Sequence, residues 1–268
     1  MSEVLKYEQD EHGVVTLTLN HPETRNALTG TGLVSALLAA CDRIEHDMSV
    51  RAVIITAEGN IFSSGGSIDE MQRQIGPGVS PAELRQEYRH GIQRLPLAIY
   101  NLEVPTIAAV NGPAMGAGSD LTCMCDIRIA SETATFAQTF VKIGIVSGDG
   151  GAWLLPRVIG MQRAAEMAFT GDAVDAQTAL DWGLVSRVVP PGDLMREARS
   201  LAHRIAANSA PAVRMTKRLL REGQQTSLST LLELAASYQA LAHKTPEHEK
   251  AVEDFMHRRA ARRAGRSG

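Results

Sequence analysis

The stretch NGPAMGAGSDLTCMCD (111–126) joins a glycine-rich loop to a run that reads as a buried helix. Its glycines, Gly112, Gly116 and Gly118, let the backbone turn and approach a ligand with no Cβ in the way. A helix starting near Ala117 leaves its first N–H groups without intrahelical acceptors, and its dipole adds partial positive charge at the same point. An oxygen that gains negative charge there is stabilised more than its neutral precursor, which is oxyanion-hole logic. A second glycine loop, FSSGGS (62–67), follows a different strand and is placed to supply the partner N–H. Asp120 puts one carboxylate into the first turn of the same helix.

Working outward, VVTLTL (14–19) alternates with period two and predicts a strand. AVIITA (52–57), TIAAVNG (106–112) and DIRIAS (126–131) read as further strands, the first two buried on both faces. Between Thr31 and Asp47 the apolar positions Leu33, Leu37, Cys41 and Ile44 recur at helical spacing. PAELRQEYRHGIQRLPLAIYNLE (81–103) predicts a helix that opens on Pro81 and is bent or broken near Pro96. Strand, helix, strand, helix, strand is the order of an α/β fold with crossover connections. From Asp193 onward only helical patterns remain, in segments 193–208, 210–223 and 226–243, the last with a stripe of Leu228, Leu231, Ala235, Tyr238 and Ala242. The expected division is an α/β core over 1–192 and a helical C-terminal subdomain over 193–268. The end, HRRAARRAGRSG (257–268), is a basic tail, either a solvated end or a contact for a ligand phosphate.

Net charge is −3 over 268 residues, so no global field draws nucleic acid or an anionic membrane, and an anionic ligand has to be held locally. MSEVLKYEQDEHG lacks the apolar core of a signal peptide, and no run is long enough to span a bilayer, so a cytoplasmic protein is expected. Cys41, Cys123 and Cys125 are too few for a disulfide framework and read as core residues. There is no clustered ligand set and no dinucleotide fingerprint, so neither a metal nor a redox cofactor is expected.

The segments HPETRNAL (21–28), FSSGGSIDEM (62–71), VPTIAAVNGPAMGAGSDLTCMCDIRIAS (104–131), IGIVSGDGGAWLLPRVIG (143–160), FTGDAVDAQTALDWGLVSRVV (169–189) and AVRMTKRLL (212–220) together resemble the crotonase superfamily, the enoyl-CoA hydratase/isomerase family. The resemblance covers nearly the whole chain. It implies a spiral of ββα turns with a helical C-terminal part, assembly as a homotrimer or dimer of trimers, and a CoA thioester as substrate rather than as a bound cofactor. It implies an oxyanion hole from the N–H groups of Ser64 and Ala117. Arg25, Ala27 and Leu28 and the backbone through Ser64, Gly65, Gly66, Ser67 and Ile68 would line the CoA path, and Met115, Gly116 and Phe140 the acyl pocket, with Glu70, Met71 and Trp153 nearby.

Hydratases of this family use two glutamates, and this chain departs at both positions. The first is Asp120, one methylene shorter, and the second is Phe140, which transfers no proton. Asp149, set between glycines in SGDGGAW (147–153), is either the principal acid/base, with Asp120 assisting or orienting water, or the N-cap of the following helix. Lys217 and Arg218 either reach a CoA phosphate or line a solvated helix face. The functional reading is enolate chemistry on an acyl-CoA, with a carbon–carbon hydrolase or a non-catalytic acyl-CoA-binding protein as alternatives.

Overall fold

The computed structural model describes residues 4–264, and the side chains of those up to 259. Strands β1 (Leu5–Gln9) and β2 (Val14–Leu19) form an antiparallel hairpin, and α1 (Leu33–His46) follows. Next come β3 (Ala52–Ala57), α2 (Ile68–Gln74), α3 (Pro81–His90), α4 (Arg94–Asn101), β4 (Thr106–Val110), β5 (Ala114–Met115) and α5 (Ala117–Met124). They lead to β6 (Ile127–Ser131), β7 (Thr135–Ala137), α6 (Gly151–Ile159), α7 (Met161–Thr170), β8 (Val174–Asp175), α8 (Ala176–Asp181) and β9 (Arg187–Val189). Helices α9 (Leu194–Ala206), α10 (Ala210–Glu222), α11 (Leu228–Ala242) and α12 (Pro246–Ala264) end the described chain.

The main sheet has the order β1-β2-β3-β4-β6-β9, parallel from β2 onward. A smaller sheet runs β5-β7-β8, and Ser63 extends it by a parallel bridge to Ala114. Each of β3, β4 and β6 therefore passes from the main sheet to the small one and then into a helix, a ββα turn repeated along the chain. The alternation read in β2 does not mark an exposed face, because every residue of β2 is buried, as is every residue of β4. Leu33, Leu37, Cys41 and Ile44 of α1 are all buried, as their spacing requires. Cys123 and Cys125 are buried thiols as well.

The segment after Ser80 begins with a capping box, in which Ser80 and Glu83 satisfy each other's backbone N–H, and Pro81 occupies the first turn. The expected break comes at Gly91, three residues before α4 starts, and Pro96 sits in the first turn of α4, where its missing N–H costs no helical bond.

The chain divides into two compact units, residues 1–205 and 206–268. Almost all of α9 lies in the first, tied there by Arg187–Glu197 (3.4 Å) and by His203–Asp10 (2.7 Å). The second holds α10, α11 and α12. The basic tail is helical as far as Ala264, and its residues 265–268 lie outside the described residues. Among the described residues no helix is long and apolar enough to cross a membrane.

Candidate active site

The two glycine loops are laced together before they form anything else. Phe62 and Ser63 donate their N–H groups to the Pro113 carbonyl, and Met115 N–H donates to the Ser63 carbonyl at 2.9 Å. A Cβ on Gly118 would stand 2.5 Å from the Ser63 carbonyl oxygen, and one on Gly65, at φ +84°, 2.5 Å from that of Met115. Only glycine permits either approach.

A third segment, 25–28, is strapped alongside. Ser64 N–H donates to the Arg25 carbonyl (2.9 Å), Leu28 N–H to the Gly65 carbonyl (2.7 Å) and the Ser63 hydroxyl to the Asn26 carbonyl (2.7 Å). Asn26 holds this segment in place. Fully buried at φ 53°, it accepts from His21 N–H and donates to the carbonyls of Glu58 and Ile61. Asparagine tolerates the left-handed conformation better than other residues with a Cβ. Asn26→Ala is expected to cost about 2–4 kcal/mol through three lost hydrogen bonds and backbone strain, read as a lower urea midpoint. HPETRNAL contained the signal, an Asn in a tight turn, and the sequence reading passed over it.

Between α1, α2, α3 and the tip of α5 lies a cavity of about 250 Å³. Leu28, Gly66, Met71, Ala117, Phe140, Ile92, Tyr88 and Asp149 are on its wall. Gly66 and Ala117 line it from the two glycine loops, and neither backbone N–H has an acceptor among the described residues. This departs from the donor pair expected from the resemblance: the Ser64 N–H is already spent on the Arg25 carbonyl, and Gly66, two residues further on, lines the cavity instead. Ala27 is buried and Arg25 and Ile68 are exposed, outside the cavity, while Ser67 caps α2 by accepting from Glu70 N–H. Met115 and Gly116 carry the chain into α5 and are not on the cavity wall. Trp153 is also off the wall, edge-on to Tyr100 with Arg157 stacked over it. Lys217 is buried, and Arg218 pairs with Glu222 at 2.7 Å.

The two aspartates occupy different positions. Asp149 is on the cavity wall and 4 % exposed, and burial pushes its carboxyl up to about 6. It is not a cap: α6 takes Gly150 as its N-cap, with no side-chain cap bond. Asp120 is fully buried behind the wall. Its oxygens accept from the Gln138 amide (2.7 Å), the Ser147 hydroxyl (3.1 Å) and Gly151 N–H (3.2 Å). Burial first, then the charge of Asp149, raise it to about 7, against those three donors. Asp120 thus grips both sides of the loop that carries Asp149. Any side chain at residue 151 would collide with the Asp120 carboxylate, which accounts for Gly151.

A sequence model of the family described as Enoyl-CoA hydratase/isomerase matches residues 9–265. The chain belongs to this family. The short-chain-enoyl-CoA hydratase of Clostridium acetobutylicum is 35 % identical over 255 residues, 94 % of each chain. The 1,2-epoxyphenylacetyl-CoA isomerase of Escherichia coli is 33 % identical over 257 residues, 96 % of this chain and 97 % of that one. The crystal structure of an enoyl-CoA hydratase from Mycobacterium smegmatis superposes with a TM-score of 0.89 at 34 % identity, covering 96 % and 97 %. The spiral of ββα turns is thus the crotonase fold, and the chain is an enzyme of the enoyl-CoA hydratase/isomerase family.

Proposed function

We propose that the protein moves a carbon–carbon double bond in a short acyl-CoA thioester, with Asp149 as the single proton carrier. The observation that carries this reading is the cavity wall: Asp149 is its one carboxylate outside an ion pair among the described residues, since Glu70 and Glu87 are both held by Arg73. Hydration needs one group to activate water and a second to protonate Cα. Phe140 supplies neither, and the oxygens of Asp120 are already engaged. Migration needs only one. Ionised Asp149 takes a proton from C2 of a 3-enoyl thioester, and the electron pair delocalises through C1 onto the thioester oxygen and, in the other direction, through C3 onto C4. The N–H groups of Gly66 and Ala117 stabilise that dienolate. The same carboxyl returns the proton to C4, giving the 2-enoyl thioester with no net gain or loss of atoms. Asp120 holds the Asp149 loop in this reading and keeps its own proton out of the reaction.

The exposed leucines 228, 232 and 241 of α11 and Val252, Phe255 and Met256 of α12 support self-association, in keeping with the trimeric assembly that the resemblance implies. The test of the activity is conversion of 3-pentenoyl-CoA to 2-pentenoyl-CoA followed against pH. Because the working form is the carboxylate, kcat/KM is expected to fall about tenfold per unit below pH 6 and to level off above it. Binding without turnover, or hydration faster than migration, would refute the single-carboxyl mechanism.

A further inference from the structure

Tyr88, on α3, was not singled out by the sequence, yet it stands on the wall of the acyl cavity beside the acid/base. A Cβ built on Gly148 would meet the Tyr88 ring at 3.1 Å, so the ring lies against the residue that precedes Asp149. The Gln93 amide donates to the Gly148 carbonyl (2.8 Å), and Gln93 N–H donates to the Tyr88 carbonyl, locking α3 and the Asp149 loop together around that ring. Three of the polar side chains on the wall are already engaged. Thr29 accepts from Ser67 N–H, and Glu70 and Glu87 receive Arg73. The Tyr88 hydroxyl has no hydrogen-bond partner among the described residues, and the same holds for the side chains of Gln74, further along α2, and Ser35, on α1. Of these three, Tyr88 is the one packed against the Asp149 loop. Its phenol also stays protonated: burial and then the Asp149 charge raise it above the ordinary tyrosine value, so it acts as a donor.

We infer that Tyr88 is a specificity-determining residue whose hydroxyl donates to an oxygen on the acyl chain, so the preferred substrates are acyl-CoA thioesters that carry a hydroxyl or oxo group near the reacting carbons rather than plain alkyl chains. A plain alkyl chain leaves the phenol without an acceptor in a partly buried site, which penalises binding. An acyl oxygen at the right carbon removes that penalty. The inference rests on the acyl-CoA reading above, deepens it, and does not depend on which reaction follows.

Binding of saturated thioesters separates it from catalysis, because such ligands cannot be isomerised. Butyryl-CoA, 4-hydroxybutyryl-CoA, valeryl-CoA and 5-hydroxyvaleryl-CoA are titrated calorimetrically into the full-length wild type and into Tyr88→Phe, which keeps the ring against Gly148. In the wild type one hydroxylated ligand is expected to bind about 3- to 10-fold more tightly than its plain partner. Tyr88→Phe is expected to erase that preference, the plain thioesters binding as tightly as in the wild type or several-fold better because the unsatisfied phenol is gone. A wild type that does not discriminate at either length, or a preference that survives in Tyr88→Phe, overturns the inference. Failure of even butyryl-CoA to bind would instead overturn the acyl-CoA reading, and the inference with it.

Discussion

Asp149→Asn is expected to lower the rate of double-bond migration by about 10³-fold, with thioester binding kept within a few-fold, and to melt at a higher temperature than the wild type at pH 8. Both effects come from one physical fact. Burial raises the Asp149 carboxyl from 3.8 to about 6, so its charged form is uncomfortable in the fold. For an acid whose folded pKa is raised, the linked stability is fully present below the unfolded value of 3.8 and is lost as pH rises through about 6. At about 1.4 kcal/mol per unit, the wild type gives up on the order of 3 kcal/mol between those limits, and a neutral asparagine gives up none of it. The variant's advantage should therefore be several degrees at pH 8 and vanish near pH 4, read by calorimetric melts at both values. Strain of this kind concentrates where chemistry is done. Retained activity in Asp149→Asn would move the proton transfer elsewhere. Lost activity without the pH-dependent gain in stability would mean that the carboxyl is not desolvated in the resting enzyme.

How much of this was legible in the sequence depended on the range of the interaction. Val14–Leu19 and Ala52–Ala57 match the segments read as strands to the residue, because strand patterning and the glycines that end it are local. α12 was missed: residues 246–264 carry no apolar stripe comparable to that of α9, and the basic residues within it read as an end rather than an element. At the site, the sequence pointed to the glycine loops but not to which of their residues line the cavity. Ser64 and Gly66 differ only in whether the chain folds back to Arg25, a contact made across 39 residues. Asp120 and Asp149 could be named as carboxylates, but their separation into a buried brace and a cavity group depends on Gln138, Ser147 and Gly151 converging from three places in the chain. Tyr88 carried no signal, since a tyrosine on an amphipathic helix is most simply a packing residue.

Gly65→Ala is expected to remove most of the activity and several kcal/mol of stability together, and the pairing of the two losses is what makes it informative. At φ +84° an alanine pays about 1–2 kcal/mol for the left-handed backbone alone. Its methyl would also sit 2.5 Å from the Met115 carbonyl oxygen and 3.0 Å from Ala117 N, backbone atoms that cannot swing aside. The loop must therefore withdraw from the tip of α5, which parts the amides of Gly66 and Ala117. Losing one donor of an oxyanion hole typically costs about 10²–10³-fold in kcat. Gly66→Ala is the contrasting case: its Cβ meets the flexible end of Met71 at 2.6 Å, so the chain should fold with nearly wild-type stability. Urea midpoints and kcat for migration, measured on both variants, separate the causes. Should Gly65→Ala unfold more easily yet retain wild-type kcat, the convergence of the two loops would be structural only, and the negative charge of the transition state would have to be held by other groups.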